Sequence, residues 1–153
     1  MIDILHRETG SVILTVAGQW RGPYAFLEGI DLRGAKLADA ELPFARLRGA
    51  ILANADLTDA YLSSADLTDA DLSGAILRRA DCLSIRFRRA NLTNADLSYT
   101  TLQSTDWRGA TLTGANLSRA TMKNGRYDQF TIWPEGFVPE KHNLIFEPNT
   151  SKR

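Results

Sequence analysis

Apolar residues recur at every fifth position of this chain from Leu27 to Tyr127. Of these 21 positions, 16 are Leu, and the other five are Cys82, Phe87, Trp107, Met122 and Tyr127. A second column lies two residues before the first, begins at Ala25 and holds Ala at 16 of its 21 positions. A fixed period indicates a repeated structural unit, and it outweighs the helix preference of single Ala and Leu residues.

The five-residue spacing does not fit an α-helix, because apolar residues five apart would spiral around its axis instead of forming one stripe. It fits short extended segments, in which successive side chains point to opposite sides. We number each repeat from −2 to +2 around its central residue. Positions −2 and 0 then point inward, −1 points outward, and +1 and +2 turn a corner. We expect the inward −2 position to accept only small residues.

The residue between the two columns is most often Asp or Asn, as in Ala-Asp-Leu-Thr-Asp at 55–59 and 65–69. This pattern resembles the A(D/N)LXX motif of the pentapeptide-repeat family, over about two-thirds of the chain. The resemblance implies an all-β fold, the right-handed quadrilateral β-helix, a solenoid with four pentapeptides per coil and about five coils here. Each residue should then stack on the one 20 positions later, about 4.8 Å away.

With four repeats to a coil, the central residues sort into four columns, and each column defines one face. Face one contains Leu32, Leu52, Leu72, Leu92 and Leu112, and face two contains Leu37, Leu57, Leu77, Leu97 and Leu117. Face three contains Leu42, Leu62, Cys82, Leu102 and Met122, and face four contains Leu27, Leu47, Leu67, Phe87, Trp107 and Tyr127. The large aromatic residues therefore share face four.

We expect one domain over residues 1–153, with an N-terminal cap at 1–24, repeat coils at 25–129, and a C-terminal cap and tail at 130–153. Apolar and polar residues alternate from Ile2 to Val16 around Glu8-Thr9-Gly10, which predicts a β-hairpin. Residues 19–23 break this alternation. Residues 133–139 contain two prolines and large apolar side chains, which predict an irregular closure. Residues 147–153 are expected to be a frayed tail.

Composition excludes several classes of protein. The chain has 18 basic and 18 acidic side chains, and this balance argues against binding nucleic acid or an anionic membrane through the overall field. One cysteine permits no internal disulfide, and no Cys/His cluster has metal-site spacing. No apolar run reaches membrane-spanning length, and the first residues do not resemble a signal peptide. We expect a cytoplasmic protein without cofactors or metals.

Two groups of side chains suggest catalysis, and each has a simpler interpretation. Carboxylates cluster at Asp56, Asp59, Asp66, Asp69 and Asp71. They could serve as acid and base, but as outward repeat positions on a convex surface they lack the pocket that such work needs. Cys82 occupies an inward central position, which favours a buried replacement for Leu over a reactive thiol. His6 and His142 have no triad partners nearby, so we predict no enzyme activity.

Basic residues concentrate at Arg78, Arg79, Arg86, Arg88 and Arg89. A phosphate-binding patch is one interpretation. Structural ladders are the other, because stacking of every fourth repeat places Asp59 over Arg79, Asp66 over Arg86 and Asp69 over Arg89. Cross-strand pairing favours such opposite charges, although each exposed pair contributes only about 0–1 kcal/mol. We favour ladders, while the stacking of Arg88 on Arg108 without a counter-charge leaves the patch open.

The preferred function is a non-catalytic scaffold for protein–protein interaction, with an unknown protein partner or a second copy in a homodimer. The alternative is DNA mimicry. The resemblance includes a quinolone-resistance group whose members resemble duplex DNA and act on type II topoisomerases. That group has a strongly acidic surface and protruding loops. This chain is neutral, and its repeats have no insertion between Leu27 and Tyr127.

Face three is the candidate interaction surface, because it carries few charges. Its outward residues include four apolar ones, Pro43, Phe44, Tyr61 and Leu83. Low charge with aromatic enrichment is typical of an interface centre. The alternative interpretation is that these are scattered surface residues, which need no explanation.

The inward and outward assignments predict opposite effects for two neighbouring substitutions. Leu72→Arg should abolish folding, because it buries a charge without a partner. Ser73→Arg should be nearly neutral, because position +1 points outward. Thermal unfolding followed by circular dichroism checks both, and similar melting temperatures for the two variants would contradict the assignment.

Overall fold

The structure is a computed structural model that describes residues 2–6, 12–16, 19–21 and 24–149, with side chains from residue 25 onward. The predicted Glu8-Thr9-Gly10 turn and residues 150–153 lie outside the described residues. The strands are β1 (Ile2–His6), β2 (Val12–Val16), β3 (Gln19–Arg21), β4 (Tyr24–Phe26), β5 (Ala40–Glu41), β6 (Arg126–Tyr127) and β7 (Ile145–Phe146).

Backbone pairing between every repeat and the fourth one after it organises the repeat region. Parallel bridges join successive −1 positions from Phe26↔Arg46 to Asp106↔Arg126, which corresponds to four repeats per turn of a β-helix. The amide of Asp71 donates to the Ala50 carbonyl at 2.9 Å, and the amide of Leu72 donates to the Asn91 carbonyl at 2.7 Å. Each short segment is therefore bonded to one segment in the coil before it and one in the coil after it.

Tight turns make the corners. In a representative repeat, the amide of Ala75 donates to the Leu72 carbonyl at 3.0 Å, and Gly74 at position +2 has φ of 65°. A positive φ at the third residue of such a turn is typical of type II turns and favours glycine. Many repeats carry another residue there, including Asn54, Ser64 and Arg79, all with positive φ.

The central column is the core, as predicted. Central side chains are at most 5% exposed from Leu27 to Leu112. Leu117 and Tyr127 are only partly buried, because they lie near the C-terminal end of the coils.

The −2 column departs from the prediction, since three residues larger than Ala are fully buried there: Ile85, Thr100 and Thr105. The Thr100 hydroxyl donates to the Leu77 carbonyl at 2.7 Å, and the Thr105 hydroxyl donates to the Leu102 carbonyl at 2.8 Å. These bonds satisfy the buried hydroxyls, so a β-branched polar residue is tolerated without an orphaned donor. The prediction that only small residues fit was therefore wrong.

Two hairpins lie at the N-terminal end. β1 pairs antiparallel with β2, as the alternation predicted. β1 also pairs antiparallel with β5, so the hairpin extends the sheet of face three. β3 pairs antiparallel with β4, a second hairpin that the sequence analysis missed because it took residues 19–23 as a break. Gly22 and Pro23 between these strands lie outside the described residues.

The C-terminal segment covers faces one and four without repeating the motif. Regular repeats pair with residues 20 positions away. Ile132 pairs with Thr111, 21 positions before it. β7 pairs parallel with β6, 19 positions before it. A 3₁₀-helix at Pro139–His142 separates the two segments. Residues 147 and 149 do not fit the predicted frayed tail, because the Glu147 amide donates to the Tyr127 carbonyl at 2.8 Å and the Asn149 amide donates to the Gln129 side chain at 3.0 Å.

Aromatic rings continue the core toward this end. The ring centroids of Phe87 and Trp107 lie 5.3 Å apart, those of Trp107 and Trp133 5.7 Å apart, and those of Trp133 and Phe137 4.7 Å apart. Gly125 takes the inward slot beside Trp107, where a Cβ would lie 3.1 Å from the indole nitrogen. The face four column therefore extends into the C-terminal segment through Trp133 and Phe137.

Cys82 and Ile85 occupy neighbouring inward slots of one coil and are both fully buried. Cys is smaller than the usual Leu, and Ile is larger than the usual Ala, so we expect the two deviations to compensate. Cys82→Leu alone should destabilise by about 1–3 kcal/mol through overpacking. Ile85→Ala alone should destabilise by about 2–4 kcal/mol through a cavity.

The double variant Cys82→Leu with Ile85→Ala restores the usual pair of the motif and should be more stable than the sum of the single changes implies. Urea unfolding of wild type, the two single variants and the double variant measures this coupling free energy. Additive effects would show that the two slots do not share volume.

Candidate functional site

The carboxylates at −1 are structural. Asp56 accepts the amide hydrogen of Thr58 at 3.0 Å, and Asp66 accepts that of Thr68 at 3.1 Å. The amide oxygen of Asn91 accepts the Thr93 amide in the same way, at 3.1 Å. Sequence analysis missed this role, although Asp and Asn are known to bond backbone two residues on. The bond explains why the motif favours Asp or Asn, and it ties these side chains to their own corners.

Two predicted ladders form at the +2 corners. The Arg79 guanidinium binds Asp59 through two hydrogen bonds of 2.8 and 2.5 Å, and that of Arg89 binds Asp69 through bonds of 2.6 and 2.8 Å. The hydrogen bonds and charge of Arg89 hold the pKa of Asp69 below its usual range. These pairs confirm the ladder interpretation for both arginines.

The −1 column of face four stacks as predicted, and Arg86 pairs with Asp66 across the coils, although the closest approach of their charged groups is 3.8 Å. Asp106 is instead bound by Arg108, at 2.8 and 2.6 Å, and Arg108 also reaches Glu147 at 3.1 Å. Arg88 lies 3.9 Å from the same aspartate. The expected lack of a counter-charge between Arg88 and Arg108 was therefore wrong, because the side chain of Asp106 lies within reach of both.

Asp106 is the most strongly engaged acid of this column. Burial alone would raise the pKa of its carboxyl, but the hydrogen bonds and charge of Arg108 outweigh burial and lower it. The same contact raises the pKa of Arg108. The pair is thus a stabilising contact rather than a catalytic acid, which would need a raised pKa.

Cys82 belongs to the core. Its thiol is fully buried, and burial together with the charge of Asp81 raises its pKa, so the thiolate is suppressed. The His142 ring stacks on Phe137 at 4.5 Å, and the side chain of His6 lies outside the described part of the chain. Over the described ranges, no group of three or more His, Cys, Asp or Glu side chains is placed to hold a metal ion.

The four apolar residues predicted as an interaction surface occupy two places. Pro43, Tyr61 and Leu83 lie on the wall of face three, the first two half-buried and Leu83 42% exposed. Ser63 lies between them and donates to Asp81 at 3.1 Å. Phe44 is 46% exposed and lines a cavity at the corner with face four.

That corner holds a feature the sequence analysis missed, a groove between position +2 of face three and position −1 of face four. One cavity, of about 710 Å³, is lined by Phe26, Phe44, Arg46, Ser64, Asp66 and Arg86. A second, of about 320 Å³, is lined by Ser84, Ile85, Arg86, Ser104, Asp106, Asn124, Arg126 and Ile145. Arg86 lines both. The only sequence signal was the run of small Ser residues at position +2 of face three.

The chain belongs to the pentapeptide repeat family. The family described as Pentapeptide repeats (8 copies) matches residues 24–54, 55–94 and 90–125. No match was found among curated proteins. In the described residues, no helix has the length and apolar character needed to cross a membrane.

Solved pentapeptide repeat structures resemble this chain. Rfr23 from the cyanobacterium Cyanothece 51142 is 27% identical, over 69% of this chain and 88% of that chain, with a TM-score of 0.39. HetL from Nostoc sp. strain PCC 7120, involved in heterocyst differentiation regulation, is 30% identical over 66% and 61%, with a TM-score of 0.37. QnrB1, a plasmid-mediated fluoroquinolone resistance protein, is 19% identical over 76% and 77%, with a TM-score of 0.36.

The lowered pKa of Asp69 and Asp106 predicts how stability depends on pH. A carboxyl with a folded-state pKa below its unfolded value of about 3.9 stabilises the fold above that value and loses this contribution as pH falls through the folded-state pKa. Asp106→Asn should cost about 1–3 kcal/mol at pH 7 and flatten the loss of stability below pH about 4.

Asp71→Asn is the matched control, because Asn91 shows that an amide at position −1 accepts the same backbone hydrogen. It should change the free energy of unfolding less than Asp106→Asn does. Urea titrations at pH values from about 2 to 7 measure both, and parallel curves for wild type and Asp106→Asn would contradict the assignment.

Proposed function

We propose that this protein is a non-catalytic scaffold that binds a protein partner through face three. The pairing of β1 with Ala40–Glu41 carries the proposal, because it adds a hairpin to the sheet of that face. The result is a sheet that extends further along the axis than the repeats alone. Pro43, Tyr61 and Leu83 supply its apolar part, and a rigid sheet loses little ordering entropy when it binds.

The absence of catalysis is part of this proposal. The carboxylates at −1 accept backbone hydrogens from their own corners, and those of Asp59 and Asp69 are held by arginines. The thiol of Cys82 is buried. Each side chain that suggested chemistry thus has a structural role.

We further infer that the coils wind right-handed, number about five, and form one domain over residues 1–153 with a cap at each end. Pairing of every fourth repeat from Phe26 to Arg126 supports the coil number. The hairpin paired to β5 supports a cap at residues 1–24, and the pairing of β7 with β6 supports one in residues 130–153.

DNA mimicry is the less favoured function. A mimic of duplex DNA needs a surface of unmatched negative charge. Here the outward carboxylates of Asp59, Asp69 and Asp106 are each neutralised by an arginine, and the chain has equal numbers of acidic and basic side chains. A protein partner or a second copy of this chain therefore fits the surface better.

The double change Phe44→Asp with Leu83→Asp should preserve the fold and abolish association, because it places one charge on the wall of face three and another at its corner with face four. Both side chains are more than 40% exposed, so we expect little loss of stability. Sedimentation equilibrium measures self-association, and quantitative co-purification from the source cells measures partner capture.

Thr113→Asp with Ser118→Asp is the matched control, since it adds two carboxylates at exposed neutral positions of faces one and two. It should not affect association. Association that survives in the folded Phe44→Asp, Leu83→Asp protein would reject face three as the binding surface.

A further inference from the structure

The groove at the corner of faces three and four has an uneven balance of charge. The arginine side chains of its −1 column point into solvent, with 47% of Arg46, 61% of Arg86 and 56% of Arg126 exposed. The aspartates between them are withdrawn, with 18% of Asp66 and 16% of Asp106 exposed. A ligand that enters the groove therefore meets guanidinium groups first.

The two outer arginines already bind carboxylates of the chain itself. Arg46 lies 2.7 Å from Glu28, and Arg126 lies 3.4 Å from Glu147. Both glutamates come from outside the column and show that a side-chain carboxylate can reach these positions. Among the described residues, the carboxylate nearest to Arg86 is that of Asp66 at 3.8 Å, and Asp106 in the next coil is bound by Arg108. Arg86 is therefore the arginine of the column that is best placed to bind a carboxylate of a partner.

The N-terminal end of the groove is apolar. Phe26 and Phe44 line it together, and the guanidinium of Arg46 lies 4.9 Å from the centre of the Phe26 ring. Such a contact holds the arginine over the ring. Phe44 is 46% exposed and presents apolar surface to the cavity. An apolar side chain therefore fits this end.

The spacing between these two ends sets the length of the ligand. Phe44 and Arg86 lie two coils apart, because position 44 stacks on 64 and then on 84, beside Arg86. Two coils measure about 9.6 Å along the axis. A polyproline II segment advances about 9.3 Å in three residues, and its residues i and i+3 share one side.

We propose that this groove binds an extended peptide segment of a protein partner, with an apolar residue against Phe26 and Phe44 and an acidic residue three positions away on Arg86. The Ser64 hydroxyl lines the groove between these two anchors, that of Ser84 lines it beside Arg86, and both are positioned to bond the peptide backbone. This inference rests on the proposed protein-binding role and names the chemistry of the segment bound.

A nucleic acid fits the same groove poorly. Its backbone carries a negative charge at every nucleotide. Asp66 and Asp106 flank Arg86 one coil away on either side, about 4.8 Å along the axis. A strand of phosphates running along the groove would therefore lie against both carboxylates.

Fluorescence anisotropy with labelled octapeptides tests the proposal on the full chain. One pair of probes carries Leu and Glu three positions apart in a Pro/Ala background, in either order, and a third carries them adjacent. At least one spaced probe should bind, more tightly than the adjacent probe and less tightly as salt rises. Arg86→Gln should weaken that binding about tenfold.

Two variants serve as controls. Arg89→Gln removes an exposed arginine of face four outside the groove, and Leu83→Asp changes face three; neither should alter the affinity for the spaced probe. Equal binding of adjacent and spaced probes, no binding of either, or no effect of Arg86→Gln would overturn the proposal. Tighter, Arg86-dependent binding of oligothymidylate would overturn the peptide assignment.

The outcome is separable from that of the face three test through Leu83→Asp alone, because Leu83 lies on face three whereas Phe44 also lines the groove. If no probe binds while Leu83→Asp loses association, the groove assignment fails and the protein-binding role stands. If the probes bind as expected while Leu83→Asp keeps its association, the face three surface fails and the groove stands.

Discussion

The hydrogen-bond ladder between coils is the constraint on which the rest of this structure depends. A segment such as Asp71-Leu72 donates to Ala50 on one side and to Asn91 on the other. No coil satisfies its own backbone, so each is stable only beside its neighbours. The same ladder fixes which side chains stack. The core, the charge pairs and the corner groove are therefore all consequences of one spacing, that of every fourth repeat.

The sequence predicted what this spacing determines. The buried central column, the burial of Cys82, and the Asp59–Arg79 and Asp69–Arg89 pairs all follow from position within the repeat. It did not predict contacts that depend on side-chain conformation. Arg108 binds Asp106, which lies in the same repeat. A neighbour within one repeat competes for such a carboxylate with an arginine stacked in the next coil. A repeat pattern cannot rank two partners that are both within reach.

The ends were predicted less well for a related reason. Residues 19–21 pair with residues 24–26, and β7 adds a strand to face four, although neither residues 19–21 nor β7 carry the motif. Their pairing is dictated by the open edge of the coil that they meet, and that edge exists only once the coils have formed. The sequence analysis also missed the corner groove, because one wall comes from position +2 of face three and the other from position −1 of the next repeat, on face four.

The outward surface shows where function can reside in such a fold. Most charged groups are paired with each other or bonded to the backbone of a corner, so they contribute little to the binding of a partner. The exceptions are local: an arginine whose nearest carboxylate lies 3.8 Å away, and an aromatic residue that is 46% exposed at a corner. Arg86 and Phe44 combine these exceptions in one groove, and both positions are occupied by residues that the motif does not require.

The ladder also restricts how genes for this protein can change in length. Loss of one pentapeptide would rotate every later residue by one face relative to the earlier coils. If the lost repeat lay between Asp59 and Arg79, for example, Asp59 would no longer lie over Arg79. The aromatic column of Phe87 and Trp107 would lose its alignment with the coils before it. Loss or duplication of four consecutive repeats would keep every column intact. Viable insertions and deletions within the coils should thus remove or add whole coils, because only then does each repeat keep its neighbours.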